Sequence, residues 1–180
     1  MKSAAFVATG VLAISSTALA GPVSGYVGIA LGTQPGLNQK LHDFANPMGR
    51  SLRGLGGARF GMFSVEAALN SFDVVTRGYG DRSVTELSLA AKLNVPIDND
   101  FELFGRFGIE ETWFDLGDDR VNFSGAGFLI GAGVAYRIKL TAVDLSLFVD
   151  YNIHQATLSN MVGDLEVSPR FGALGLIVGF

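Results

Sequence analysis

Residues 83–95 read Ser-Val-Thr-Glu-Leu-Ser-Leu-Ala-Ala-Lys-Leu-Asn-Val, and their alternation decides the fold. One parity carries Thr85, Leu87, Leu89, Ala91, Leu93 and Val95, while the other carries Val84, Glu86, Ser88, Ala90, Lys92 and Asn94. A period of two marks a strand with two chemically different faces. The test succeeds again on 101–112, where Phe101, Leu103, Gly105, Phe107 and Ile109 oppose Glu102, Phe104, Arg106, Gly108 and Glu110. On 143–154, Val143, Leu145, Leu147, Val149, Tyr151 and Ile153 oppose Asp144, Ser146, Phe148, Asp150, Asn152 and His154. Weaker alternation marks 23–33, 52–59, 63–70, 125–137 and 170–180. Eight strands are therefore predicted. The connections between them alternate in length: long at 34–51, tight at 60–62, long at 71–82, a turn at 96–100, a loop at 115–124, a turn at 138–142 and a long loop at 155–169. An even strand number with short and long connections in turn predicts an all-β fold, an eight-stranded antiparallel up-and-down barrel.

Composition narrows what such a barrel can be. Of the 180 residues, 48% are hydrophobic and 17% charged, and the net charge is −4, which removes the electrostatic basis for gripping nucleic acid. The absence of cysteine excludes a disulfide scaffold, a thiolate zinc site and a cysteine nucleophile. Mean hydropathy is +0.35, yet beyond the first twenty residues no apolar run approaches the roughly 20 residues a membrane helix needs. The apolar residues are instead spread along strand faces.

Which face points inward follows from residue type. A soluble eight-stranded barrel keeps its apolar parity inside and its charges in water. Here the charged parity is rich in Gly, Ala and Ser, and its charges nearly balance: Arg53, Arg59, Lys92, Arg106 and Arg137 against Glu66, Glu86, Glu102, Glu110, Asp144 and Asp150. That parity suits a narrow, paired interior. The apolar parity carries aromatics near strand ends: Phe60, Phe63, Phe101, Tyr136 and Phe180 on the turn side, Trp113 and Tyr151 on the loop side. Two such girdles belong at membrane interfaces, so the barrel is predicted to be transmembrane.

The first twenty residues read as an export signal: Lys2, an apolar stretch from Ala4 to Ile14, then Ala18-Leu19-Ala20 before Gly21. The domain plan is residues 1–20 as signal peptide and 21–180 as the barrel. No cysteine follows the cut to accept a lipid.

Three segments together, 54–72 (GLGGARFGMFSVEAALNSF), 101–112 (FELFGRFGIEET) and the C-terminal strand ending in Phe180, resemble the transmembrane domain of OmpA-like outer-membrane proteins. The resemblance covers nearly the whole chain after the signal. It matches Glu66 to the family's inward glutamate on the third strand, whereas Arg106, two residues before Gly108, departs from the family's tighter Arg-Gly spacing. It implies an outer-membrane location, lipid and lipopolysaccharide as surroundings, recognition of the Phe180 strand by the assembly machinery, and a monomer. No cell-wall-binding domain follows Phe180, so a wall-tethering role is not expected.

Candidate functional residues lie on the inward parity. Arg59, Glu66, Glu86, Lys92, Arg106 and Glu110 are predicted to form a lumen charge network, sharing the narrow interior with Phe104, Phe148 and Phe171. A static polar core is expected rather than a wide pore. His154 sits between Asp150 and Ser159, but the spacing differs from the His-x-Ser-Asn of outer-membrane lipid A deacylases, so a histidine at the rim and no catalytic site are expected. Asp115, Asp118 and Asp119 lack EF-hand spacing and His42 stands alone, so no metal or cofactor is predicted. The expected function is a structural or surface-interaction role through the outer loops, in envelope integrity or adhesion. A narrow passive channel and a lipid A-modifying enzyme are the alternatives.

Overall fold

The computed structural model describes residues 23–36, 45–76, 80–115, 122–140, 143–159 and 164–180; residues 1–20, expected to be an export signal, and His42, Asp118 and Asp119 lie outside them. In chain order the strands are β1 (Val23–Gly32), β2 (Ala45–Phe60), β3 (Phe63–Thr76), β4 (Gly80–Pro96), β5 (Phe101–Asp115), β6 (Phe123–Lys139), β7 (Asp144–Ser159), β8 (Asp164–Val167) and β9 (Arg170–Gly179). Every pairing is antiparallel, and β1 pairs with β2 on one edge and β9 on the other, which closes the sheet. The barrel wall is the eight long strands, as predicted.

The ninth strand is a short supplement. β8 pairs with β7 through Ala156–Ser159, directly beyond the stretch where β9 pairs with the same strand up to Arg170↔Ile153. β8 and β9 thus occupy one position in the wall, interrupted at Ser168-Pro169. Proline has no amide hydrogen to contribute there, and its carbonyl instead accepts from the His154 amide at 3.0 Å.

Several strands run further toward the loops than the alternation suggested. β2 begins at Ala45 rather than near Leu52, β3 continues to Thr76, and β7 continues to Ser159. Within the central band the outward residues are apolar and exposed, Ile29 at 64%, Phe107 at 61% and Ile109 at 65% among them. Such a continuous apolar exterior faces lipid. Above Leu69, Leu87, Ile109 and Ile153 the pattern inverts. Outward positions become Asp73, Glu111, Gln155 and Thr157, while Phe72, Val74, Val84, Phe114, Ala156, Leu158 and Val167 turn inward and pack as one buried cluster. A strand leaving the bilayer enters water on its outer face, so its apolar side chains have only the inside left to occupy. The predicted ends of β3 and β7 fall where this inversion begins.

Short connections close the other end. Phe60 pairs with Phe63 across a two-residue turn whose first central residue, Gly61, has φ 63°, a conformation glycine adopts without penalty. In the β4–β5 turn the Asp98 carboxylate accepts from the Asp100 and Phe101 amides at 2.8 and 2.7 Å. Those two amides hold its carboxyl below the ordinary value of 3.8. A depressed folded pKa adds stability that is present above the unfolded value and is lost as pH falls through the folded one. Asp98→Ala should therefore lower the urea midpoint of the refolded barrel at about pH 7, and the gap should narrow as pH falls below 3.8. Equal midpoints for both proteins at neutral pH would remove the carboxylate from the account of this turn.

Candidate functional site

Alternation aims every second side chain of the wall into the lumen, which the structure fills in three layers. At the turn end lies an open vestibule of about 490 Å³, lined by Arg59, Ser64, Lys92, Asn94, Glu102 and Arg137 among others. Arg59 grips Glu102 with both terminal nitrogens, at 3.1 and 2.6 Å, and Arg137 donates to the same carboxylate at 2.7 Å.

The middle layer is a continuous ion-pair network. Glu66 accepts from Arg106 Nη1 at 2.9 Å and Tyr26 Oη at 3.0 Å, with Lys92 Nζ at 3.7 Å. Arg106 Nη2 reaches Asp150 Oδ2 at 2.8 Å, and Arg53 Nη2 meets the same oxygen at 2.5 Å. Asn152 donates to the other Asp150 oxygen at 2.9 Å. Aromatic rings back the cations: Lys92 Nζ stands 4.1 Å from the Phe104 ring centroid, and the Arg53 guanidinium 5.6 Å from that of Phe148. The inward face of β6 leaves room for this packing with Gly131 and Gly133. A Cβ on Gly131 would strike the Asn152 amide, and one on Gly133 the Phe104 ring and Asp150 Cβ.

Above it, β4, β5 and β7 bring Glu86, Glu110 and His154 together. His154 Nδ1 lies 2.5 Å from Glu110 Oε2 and 3.5 Å from Glu86 Oε2, and its ring stacks on Phe171 at 4.9 Å. Asn70 donates to Glu86 at 2.7 Å. Over this group closes the apolar cap of Phe72, Val74, Val84, Phe114, Leu158 and Val167. Between the middle and upper layers the remaining cavity is about 10 Å³, at the lower limit for a single water.

The six residues predicted as one network therefore divide. Glu66, Lys92 and Arg106 meet in the middle layer, Glu86 and Glu110 sit above with His154, and Arg59 stands apart in the vestibule. Arg53 and Asp150, two of the balanced charges on the same inward parity but outside the predicted network, complete the middle layer. His154 is not at the rim: it is buried, because β7 runs on to Ser159 and carries the wall past it. The same alternation sends Ser159 to the opposite face of β7 from His154, so the Ser-His-Asp arrangement does not form.

Phe63, Phe101, Tyr136 and Phe180 point outward at the turn end, where the Phe101 and Tyr136 rings lie 4.9 Å apart. Phe60, at the end of β2, is half-buried. Trp113 is exposed near the loop end of β5, whereas Tyr151, outward too, falls near the middle of the longer β7.

A closed antiparallel barrel with a lipid-facing exterior and its charges inside is the architecture of an outer-membrane protein. The chain belongs to the family described as outer membrane protein beta-barrel domain, which matches residues 4–179, and its place is the outer membrane. Among solved structures it is similar to Neisserial surface protein A, with 18% identity and a TM-score of 0.60, covering 89% of this chain and 100% of that one. It is also similar to Ail, the attachment invasion locus protein of Yersinia pestis, crystallised with the heparin analogue sucrose octasulfate. There the identity is 14% and the TM-score 0.52, over 88% of this chain and 99% of that one. No curated protein matches the sequence.

Proposed function

We propose that this protein is a monomeric surface protein of the outer membrane whose barrel anchors the loop end and passes no solute. The observation that carries the reading is the double closure of the lumen, a buried ion-pair layer beneath an apolar cap, with about 10 Å³ of space between the middle and upper layers. A path for ions would have to break the pairs that Asp150 and Glu66 make and part the cap as well. The working face is then the loop end, where the collar of β3, β4, β5 and β7 lifts polar side chains clear of the bilayer to meet lipopolysaccharide or another surface. The same fold in the attachment invasion locus protein holds a sulfated sugar, which makes surface adhesion the reading to test first. Residues 1–20 serve as the export signal, and the last strand, ending in Phe180, is the segment offered to the assembly machinery. No catalytic step is assigned.

Planar-bilayer recording of the refolded chain should give no steady conductance, and loss of the protein should weaken envelope integrity or cell attachment while leaving the lipid A mass spectrum unchanged. A large, steady open state would replace this reading with that of a channel. An altered lipid A spectrum would replace it with that of an enzyme.

A further inference from the structure

The upper layer of the lumen holds two carboxylates against a single imidazole, and their remaining polar atoms are unpaired among the described residues. We propose that Glu86, Glu110 and His154 bind one divalent cation of the zinc class.

One donor atom from each of the three residues lies within 4.8 Å of the others. Shifts of under about 1 Å bring such a set to the 2.0–2.2 Å that zinc takes with imidazole nitrogen and carboxylate oxygen. All three residues are buried, at 1%, 5% and 5% exposure. Glu86 Oε1, Glu110 Oε1 and His154 Nε2 have no hydrogen-bond partner among the described residues, nor do Asn70 Oδ1 and Thr112 Oγ1 beside them. Asn70 lines the same small cavity as Glu86 and His154, and Thr112 stands opposite Glu86 in the β4–β5 register. So many orphaned polar atoms in one buried place mark a missing partner.

Charge points the same way. Arg53 and Arg106, the cations below, are engaged by Asp150 and Glu66, and the cap above is apolar. With both carboxylates ionised and the imidazole neutral, the group would carry two negative charges, which one divalent ion cancels. One nitrogen and two oxygen donors suit zinc better than the all-oxygen shells of calcium or magnesium. Asn70, already donating to Glu86, holds that carboxylate as outer-shell partners hold metal ligands. Because the cap and the ion-pair layer close both approaches, the ion is taken up as the barrel folds.

The test refolds the full chain from urea into detergent micelles with zinc chloride or with EDTA, desalts it, and measures bound metal, with heat-modifiable migration reporting the fold. The expected result is about one zinc per folded chain, falling at least tenfold in Glu110→Gln and in His154→Gln. Refolding the wild-type chain with Co²⁺ should give visible d–d absorption of a four- or five-coordinate site, a readout that stands even if a variant misfolds. Folded wild-type barrel with under about a tenth of an equivalent of zinc and no cobalt band overturns the proposal and leaves a proton as the neutralising partner. Metal retained in full by both folded variants, or lost in His42→Ala instead, overturns it too, by placing the ion elsewhere.

Discussion

Replacing Asp150 with alanine is expected to lower the stability of the folded barrel by about 3–5 kcal/mol, the usual cost of breaking a buried ion pair from one side. The Asp150 side chain is fully shielded, and its Oδ2 is shared by Arg53 and Arg106 at 2.5 and 2.8 Å. Arg106 keeps Glu66 after the change, but Arg53, 4% exposed, is left with no carboxylate in ion-pair reach among the described residues. The contrast is Arg59→Ala. Arg59 is 27% exposed and its partner Glu102 retains Arg137, so removing it should cost about 1 kcal/mol or less. Urea titrations of both variants refolded into the same micelles make the comparison. Similar losses at the two positions would mean that burial does not rank these ion pairs.

Phe148→Ala should be comparably damaging, by about 3–5 kcal/mol, through the cavity it leaves. Phe148 is 1% exposed, meets Phe104 edge-on at a centroid distance of 6.3 Å, and supports the Arg53 guanidinium on its face. Its ring also occupies the space that a side chain on Gly175 would take. Neither neighbour can fill the hole, since Phe104 is committed to Lys92 and Arg106 on its own faces. Combining Phe148→Ala with Phe104→Ala should cost less than the sum of the single changes, by roughly the 0.5–1.5 kcal/mol of an aromatic pair. Strict additivity in the same urea titrations would show that the two rings do not support each other.

The membrane band of the barrel was legible because it obeys one rule throughout. Leu87, Leu89 and Leu93 face lipid while Glu86, Ala90 and Lys92 face in, and any stretch with that polarity announces itself. The collar was not, because Phe72, Val74 and Leu158 follow the opposite rule and read as loop to a test tuned to charge inside. That same misreading put His154 at the rim. For the interior, parity told which side chains enter the lumen but not which meet, since pairing across a cylinder depends on the stagger between distant strands. Arg53 and Asp150, on β2 and β7, are not neighbours in the wall, and nothing in either strand alone joins them.

The glycines of β6 make the interior lopsided. Side chains from the two flanking strands, Phe104 and Arg106 on β5 and Asn152 on β7, lean over bare backbone at Gly131 and Gly133. Anyone wishing to bore this barrel into a nanopore would find the route already surveyed: shortening Phe104, Arg106 and Asn152 opens a furrow along β6, whose main chain needs no rebuilding to become its floor.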